Sequence, residues 1–138
     1  MLANLPDAST GSPRPMHMHM PHLATAIEEL LNPQPWTVAQ AMDRHYGPGF
    51  RQRVQGAWAD RPMFAARILE LRGLVERVTV TVLDELVNGE HYAERHVIDL
   101  HMKGGERVVR EVYVFALLDP DGRFHRIEES AVVIEPGP

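Results

Sequence analysis

The stretch Val75–Ile134, VERVTVTVLDELVNGEHYAERHVIDLHMKGGERVVREVYVFALLDPDGRFHRIEESAVVI, decides the fold. Val78-Thr79-Val80-Thr81-Val82 is rich in β-branched residues, which fit a pleated, half-buried surface, so a strand is predicted over Arg77 to Val87. Asn88-Gly89 is a strong hairpin signal, because both residues tolerate the positive φ that two-residue turns need. The chain then returns over Glu90 to Met102 and turns at Lys103-Gly104-Gly105-Glu106. It runs out from Arg107 to Leu118, turns at Asp119-Pro120-Asp121-Gly122 and ends in Arg123 to Ile134 before Pro136-Gly137-Pro138. Four long strands joined by tight turns imply an antiparallel sheet.

Helical periodicity precedes the sheet. His22 to Leu31 places Leu23, Ile27, Leu30 and Leu31 on one stripe, and Pro33 and Pro35 end it. Thr37 is a good N-cap for a second helix reaching about Tyr46, which buries Val38, Ala41, Met42 and His45 or Tyr46 and stops at Gly47-Pro48-Gly49. Phe50 to Gln55 alternates weakly and suits a short strand or an extended arm. Asp60 caps a third helix, with Pro62 in its first turn and Phe64, Ile68, Leu71 and Val75 at helical spacing. Helices followed by an antiparallel sheet define an α+β fold, and helices packed into a curled sheet leave a pocket between them.

Residues 1–22 read as a disordered tail, since Pro6, Pro13, Pro15 and Pro21 alternate with small polar residues and offer little to bury. Its Met16-His17-Met18-His19-Met20-Pro21-His22 run has the thioether and imidazole groups that suit copper, but a plain flexible leader is the preferred reading. Residues 23–138 form one domain, large enough for a core without disulfides. The chain has no cysteine and a net charge of −5, which argues against thiolate chemistry and against a general nucleic-acid binder. Thirteen of the fourteen basic residues are arginines, and they are dispersed. No window approaches the roughly 18 apolar residues of a membrane span, and residues 1–20 lack a signal-peptide pattern. A cytoplasmic location without membrane partners is expected.

Candidate chemistry lies on the strand from Glu90 to Met102. Ile98, Leu100 and Met102 mark its core face, and by alternation Tyr92, Glu94 and His96 share that face. A buried carboxylate needs a partner or a wet cavity. One reading makes His96 a general acid/base charged or oriented by Glu94. The other makes them a satisfied structural pair, or ties Glu94 to an arginine such as Arg126. Further candidates for the pocket are His45 and Tyr46 at the end of the second helix, Tyr113 with its hydroxyl, Arg126 and Glu128 on the last strand, and Trp58 and Phe64. No metal or cofactor site is predicted. Asp119-Pro120-Asp121-Gly122 lacks the ligand spacing of a calcium loop, and Gly104-Gly105 lacks the following helix of a phosphate cradle. Val112 to Leu118 is apolar at every position, so both faces should be covered, and a homodimer through the sheet is expected.

Trp58-Ala59-Asp60-Arg61-Pro62-Met63-Phe64, Tyr92-Ala93-Glu94-Arg95-His96 and Asp121-Gly122-Arg123-Phe124-His125-Arg126-Ile127-Glu128-Glu129 resemble the SnoaL-like members of the nuclear transport factor 2-like superfamily. The resemblance covers about residues 23–134. It implies N-terminal helices on a strongly curved, mostly antiparallel sheet that forms a cone with an internal pocket, usually dimeric. It also implies a small hydrophobic ligand. The family includes polyketide cyclases, ketosteroid isomerase, limonene epoxide hydrolase, dehydratases and non-catalytic binding modules. The base carboxylate of ketosteroid isomerase would fall on Phe50-Arg51-Gln52-Arg53 and its acidic partner near Val112 to Val114, where no acid stands. The aspartates of the epoxide hydrolase would fall at Val97 and near Val132. The histidine and acid of the cyclases have a counterpart in His96 and Glu94. Two functions are therefore expected as alternatives. One is a cofactor-free isomerase, cyclase or dehydratase in which His96 shuttles a proton, Glu94 sets its charge and Tyr113 or His45 polarises a carbonyl. The other is a non-catalytic ligand-binding or dimeric interaction module.

Overall fold

A computed structural model describes residues 22–135. The expected tail, its Met/His run before His22 and the closing Pro136-Gly137-Pro138 lie outside the described residues. Helix α1 (Leu23–Leu31) buries Leu23, Ala26, Leu30 and Leu31. Helix α2 (Val38–His45) starts in a capping box: the Thr37 hydroxyl accepts from the Gln40 N–H while the Gln40 side chain accepts from the Thr37 N–H. Helix α3 (Arg61–Leu74) is capped by Asp60, which accepts from the Met63 N–H at 3.0 Å, with Pro62 in the first turn. All three helices fall where periodicity and capping place them.

The sheet has six strands: β1 (Tyr46–Val54), β2 (Ala57–Asp60), β3 (Val75–Asn88), β4 (His91–Met102), β5 (Arg107–Leu118) and β6 (Phe124–Val133). Their order is β2-β1-β6-β5-β4-β3, with β1 parallel to β6 and every other pair antiparallel. The result is three helices on a curved, unclosed mixed sheet. Two expectations need correction. The weak alternation at Phe50 to Gln55 belongs to a nine-residue strand that takes in Gly47-Pro48-Gly49. Those residues end the helix but also let β1 approach the β5–β6 turn: a Cβ on Gly47 would lie 1.7 Å from Asp119 Oδ2. The first hairpin turns on Gly89-Glu90, one residue later than Asn88-Gly89, because Gly89 alone takes positive φ (63°) and Asn88 still pairs with His91.

Hydrogen bonds from α1 cover the edge strand β3. The Asn32 side chain donates to the Val78 carbonyl at 3.3 Å and accepts from the Val78 N–H at 3.0 Å, and Glu28 accepts from the Val80 N–H at 2.9 Å. Unpaired edge groups invite non-native pairing, and side chains of the helix occupy them here. The core lies between the helices and the concave face. At its centre the Tyr46 ring meets Phe50, Phe64 and Phe124 at centroid separations of 4.7, 5.4 and 5.9 Å, and Tyr92 packs edge-on against Phe124 at 5.2 Å. Among the described residues no helix is long and apolar enough to cross a membrane.

Candidate functional site

Strand alternation on β4 places Tyr92, Glu94 and His96 on the concave face and fully out of solvent, with Arg95 outside. A bulge on β3 between Val82 and Asp84 shifts the β3–β4 register, while β4 pairs with β5 without interruption from His91 to His101. The parity that turns Glu94 and His96 inwards is therefore kept. Below α1 and α3, a hollow of about 230 Å³ is walled mostly by aliphatic and aromatic side chains, among them Leu30, Phe64, Ile68 and Ile127. Its polar lining is His96, Tyr46, Gln52, Glu129 and Arg110.

His96 Nδ1 is hydrogen-bonded to Glu94 Oε1. That contact selects the ring nitrogen that carries the proton and leaves Nε2 for the hollow that His96 lines. The carboxylate is itself held from behind, where the Tyr92 hydroxyl lies 3.3 Å from Glu94 Oε2. The same hydroxyl contacts Glu85 and accepts from the Leu23 N–H at 3.1 Å, so it joins β4 to β3 and to the start of α1. Burial, the Glu85 contact and the nearby carboxylates push the Tyr92 phenol well above its ordinary range, which keeps it a donor.

Glu129, on β6, is the acidic group in the lining of the hollow and accepts from Gln52 Nε2 at 3.0 Å. Burial raises its carboxyl above the ordinary value of 4.5; the Gln52 bond and the His96 charge oppose the rise, and Glu94 adds to it. Burial, reinforced by Glu129 and Glu94, likewise raises the Tyr46 phenol. The hollow thus gathers one imidazole nitrogen, one phenol and one readily protonated carboxyl within reach of each other's charges.

The raised Glu129 carboxyl has a definite sign in stability. It binds its proton more tightly in the folded than in the unfolded chain, so stability falls as pH rises from 4.5 through the raised folded value. Glu129→Gln removes that loss and is expected to raise the thermal midpoint at neutral pH by about 2–5 °C, with the gain fading below pH 4.5. Scanning calorimetry of both proteins across that range checks it.

Other candidate residues lie elsewhere. Tyr113 is 40% exposed on the outer face, because its neighbour Val112, opposite His96, takes the inward position. Its hydroxyl contacts Glu111. Arg126 and Glu128 also face outwards. The β5–β6 register shifts between Leu117 and Leu118, so parity changes after Phe124, and Ile127, Glu129 and Ala131 turn inwards instead. Glu128 pairs with Arg53 at 3.1 Å. Trp58, on the edge strand β2, is 43% exposed beneath Arg51 at 4.5 Å, and Ala59 is buried in its place. His45 is buried but bonded to Glu29 at 2.8 Å, tying α2 to α1 away from the hollow. Burial holds its imidazole below the ordinary range, with Glu29 opposing. Tyr46 and Phe64 do line the hollow. Reading the sequence missed Gln52, Glu129 and Arg110. Once the bulge at His125 is allowed for, alternation from Ile127 yields Glu129, and alternation from Val112 yields Arg110.

This architecture is the ketosteroid isomerase-like, nuclear transport factor 2-like fold, the one that SnoaL-like proteins also carry. It is shared by a proposed isomerase from Rhodopseudomonas palustris (TM-score 0.68, 9% identity, 80% of this chain and 87% of that one). A proposed polyketide cyclase, IdmH from Streptomyces antibioticus, superposes with a TM-score of 0.61 at 15% identity over 79% of this chain and 86% of the other. A proposed isomerase of the SnoaL-like family from Agrobacterium tumefaciens gives 0.57 at 13% over 80% and 94%. No protein-family model matches the chain, and no curated protein matches it in sequence.

Proposed function

We propose that the chain is a cofactor-free acid/base catalyst for a small apolar carbonyl compound, carrying out an isomerisation, cyclisation or dehydration. The observation that carries this is a histidine in the wall of an apolar hollow, with one ring nitrogen held by a fully buried carboxylate. In this reading His96 Nε2 removes a proton from the carbon beside the carbonyl, and Glu94 stabilises the imidazolium that forms. The Tyr46 hydroxyl, in the wall of the same hollow, is the donor available to the enolate oxygen. The solved proteins of this fold that are described as isomerases or as a cyclase support the class of reaction. The test is deuterium incorporation, followed by NMR, into a panel of apolar enolisable ketones small enough for 230 Å³. Catalysed exchange of at least one ketone is expected; background rates throughout contradict the proposal and leave the non-catalytic binding module.

The partner surface belongs to the same proposal. Tyr113, Phe115 and Val132 are 40%, 61% and 48% exposed on the outer face, more apolar surface than a strand needs if that face meets water. A second copy packed there makes a homodimer and covers the apolar run of β5. Phe115→Arg is expected to turn a dimer into a monomer in light scattering, with the thermal midpoint little changed at high dilution. A wild type that is monomeric at micromolar concentration rejects this interface.

A further inference from the structure

Arg110 is the one cation among the described residues that line the hollow. It lies on β5 opposite Ile98, while His96 pairs with Val112, two residues further along. Arg110 and His96 are therefore diagonal neighbours on the concave face, roughly 7–8 Å apart at the backbone. No carboxylate of the described residues lies within ion-pair distance of Arg110; Arg51, Arg67, Arg72 and Arg77 also lack an ion pair, but none of them lines the hollow. The hydrogen bond of Arg110 goes to the Val109 carbonyl at 3.2 Å, which uses one of the five guanidinium donors. Glu129, the one acid among the described lining residues, stands on β6 opposite Val114, two rows along from Arg110, and feels the charges of His96 and Glu94. The hollow thus holds a cation with spare donors one residue row away from the His96 imidazole.

We propose that the ligand is a small apolar carboxylate whose anionic group is held by Arg110 while its hydrocarbon body carries the reacting centre towards His96. This rests on the pocket reading above and narrows its substrate class. A planar carboxylate matches the guanidinium fork, and such charge-assisted bonds are about twice as strong as neutral ones. The opposite orientation would set the ligand's carboxylate beside the Glu129 carboxyl, so the geometry also sets the direction of binding. A hollow of about 230 Å³ suits a ligand of modest size.

Binding of 4-phenylbutanoate and of 4-phenyl-1-butanol to the full chain, by isothermal titration calorimetry, tests this. The wild type is expected to bind the acid at least tenfold more tightly than the alcohol. Arg110→Met keeps most of the apolar stem and should reduce that preference to below twofold, mainly by losing acid affinity. Arg110→Lys keeps the charge and should retain part of the preference, which separates loss of charge from loss of fold. Equal affinities in the wild type, or a preference that survives in Arg110→Met, overturn the assignment of Arg110 and leave the pocket intact. If neither probe binds the wild type, the pocket reading falls as well.

Discussion

Glu94→Gln is expected to slow proton exchange at a bound ketone by about 10²–10⁴-fold while leaving the thermal midpoint within a few degrees. Glutamine matches glutamate in shape, so the side chain still fills its buried place between Tyr92 and His96. The chemistry changes in two ways. The negative charge that favours the imidazolium is gone. The amide can also present its NH₂ to Nδ1, which forces the ring proton onto Nε2 and removes the base from the hollow. Deuterium incorporation by wild type and variant under identical conditions measures the effect. An unchanged rate would place the dyad outside the chemistry and return it to a structural pair.

Phe124→Ala is expected to cost about 3–5 kcal/mol, the range for deleting a buried aromatic side chain. Phe124 has no solvent exposure and sits between the rings of Tyr46 and Tyr92, at 5.9 and 5.2 Å. Its removal leaves a void beside both, so the phenol in the hollow and the phenol behind Glu94 lose a common support. Against a total stability of about 5–15 kcal/mol the loss is a large share, and it should lower the thermal midpoint by about 10–20 °C. A shift below about 3 °C would mean that the aromatic cluster collapses around the gap and does not hold the site.

What the sequence reveals here follows from which signals are local. Capping at Thr37 and Asp60 and the β-branched run of β3 need no tertiary information, and each element forms where those residues put it. The inward facing of Glu94 and His96 was equally legible, since β4 alternates without a bulge across them. Long-range pairing was harder to read. β1 is recognisable as a long strand only through its parallel contact with β6, and Gly47-Pro48-Gly49 reads locally as a break. On β6 a single extra residue exchanges the faces, so simple alternation points to Glu128 where Glu129 occupies the hollow. The hydroxyl of Tyr113 suits a pocket donor, yet its own neighbour Val112 fixes it on the outside.

The proposed chemistry requires His96 to turn Nε2 towards whatever fills the hollow, with Nδ1 occupied by Glu94. Long-range ¹H–¹⁵N correlation of the histidine rings in alkaline buffer, with and without 4-phenyl-1-butanol, reads both nitrogens of His96 directly. The expected spectrum shows Nδ1 protonated and Nε2 bare, with the Nε2 resonance moving as the alcohol is added. A protonated Nε2 beside a bare Nδ1, or His96 signals that stay still while the alcohol saturates the protein, would contradict it.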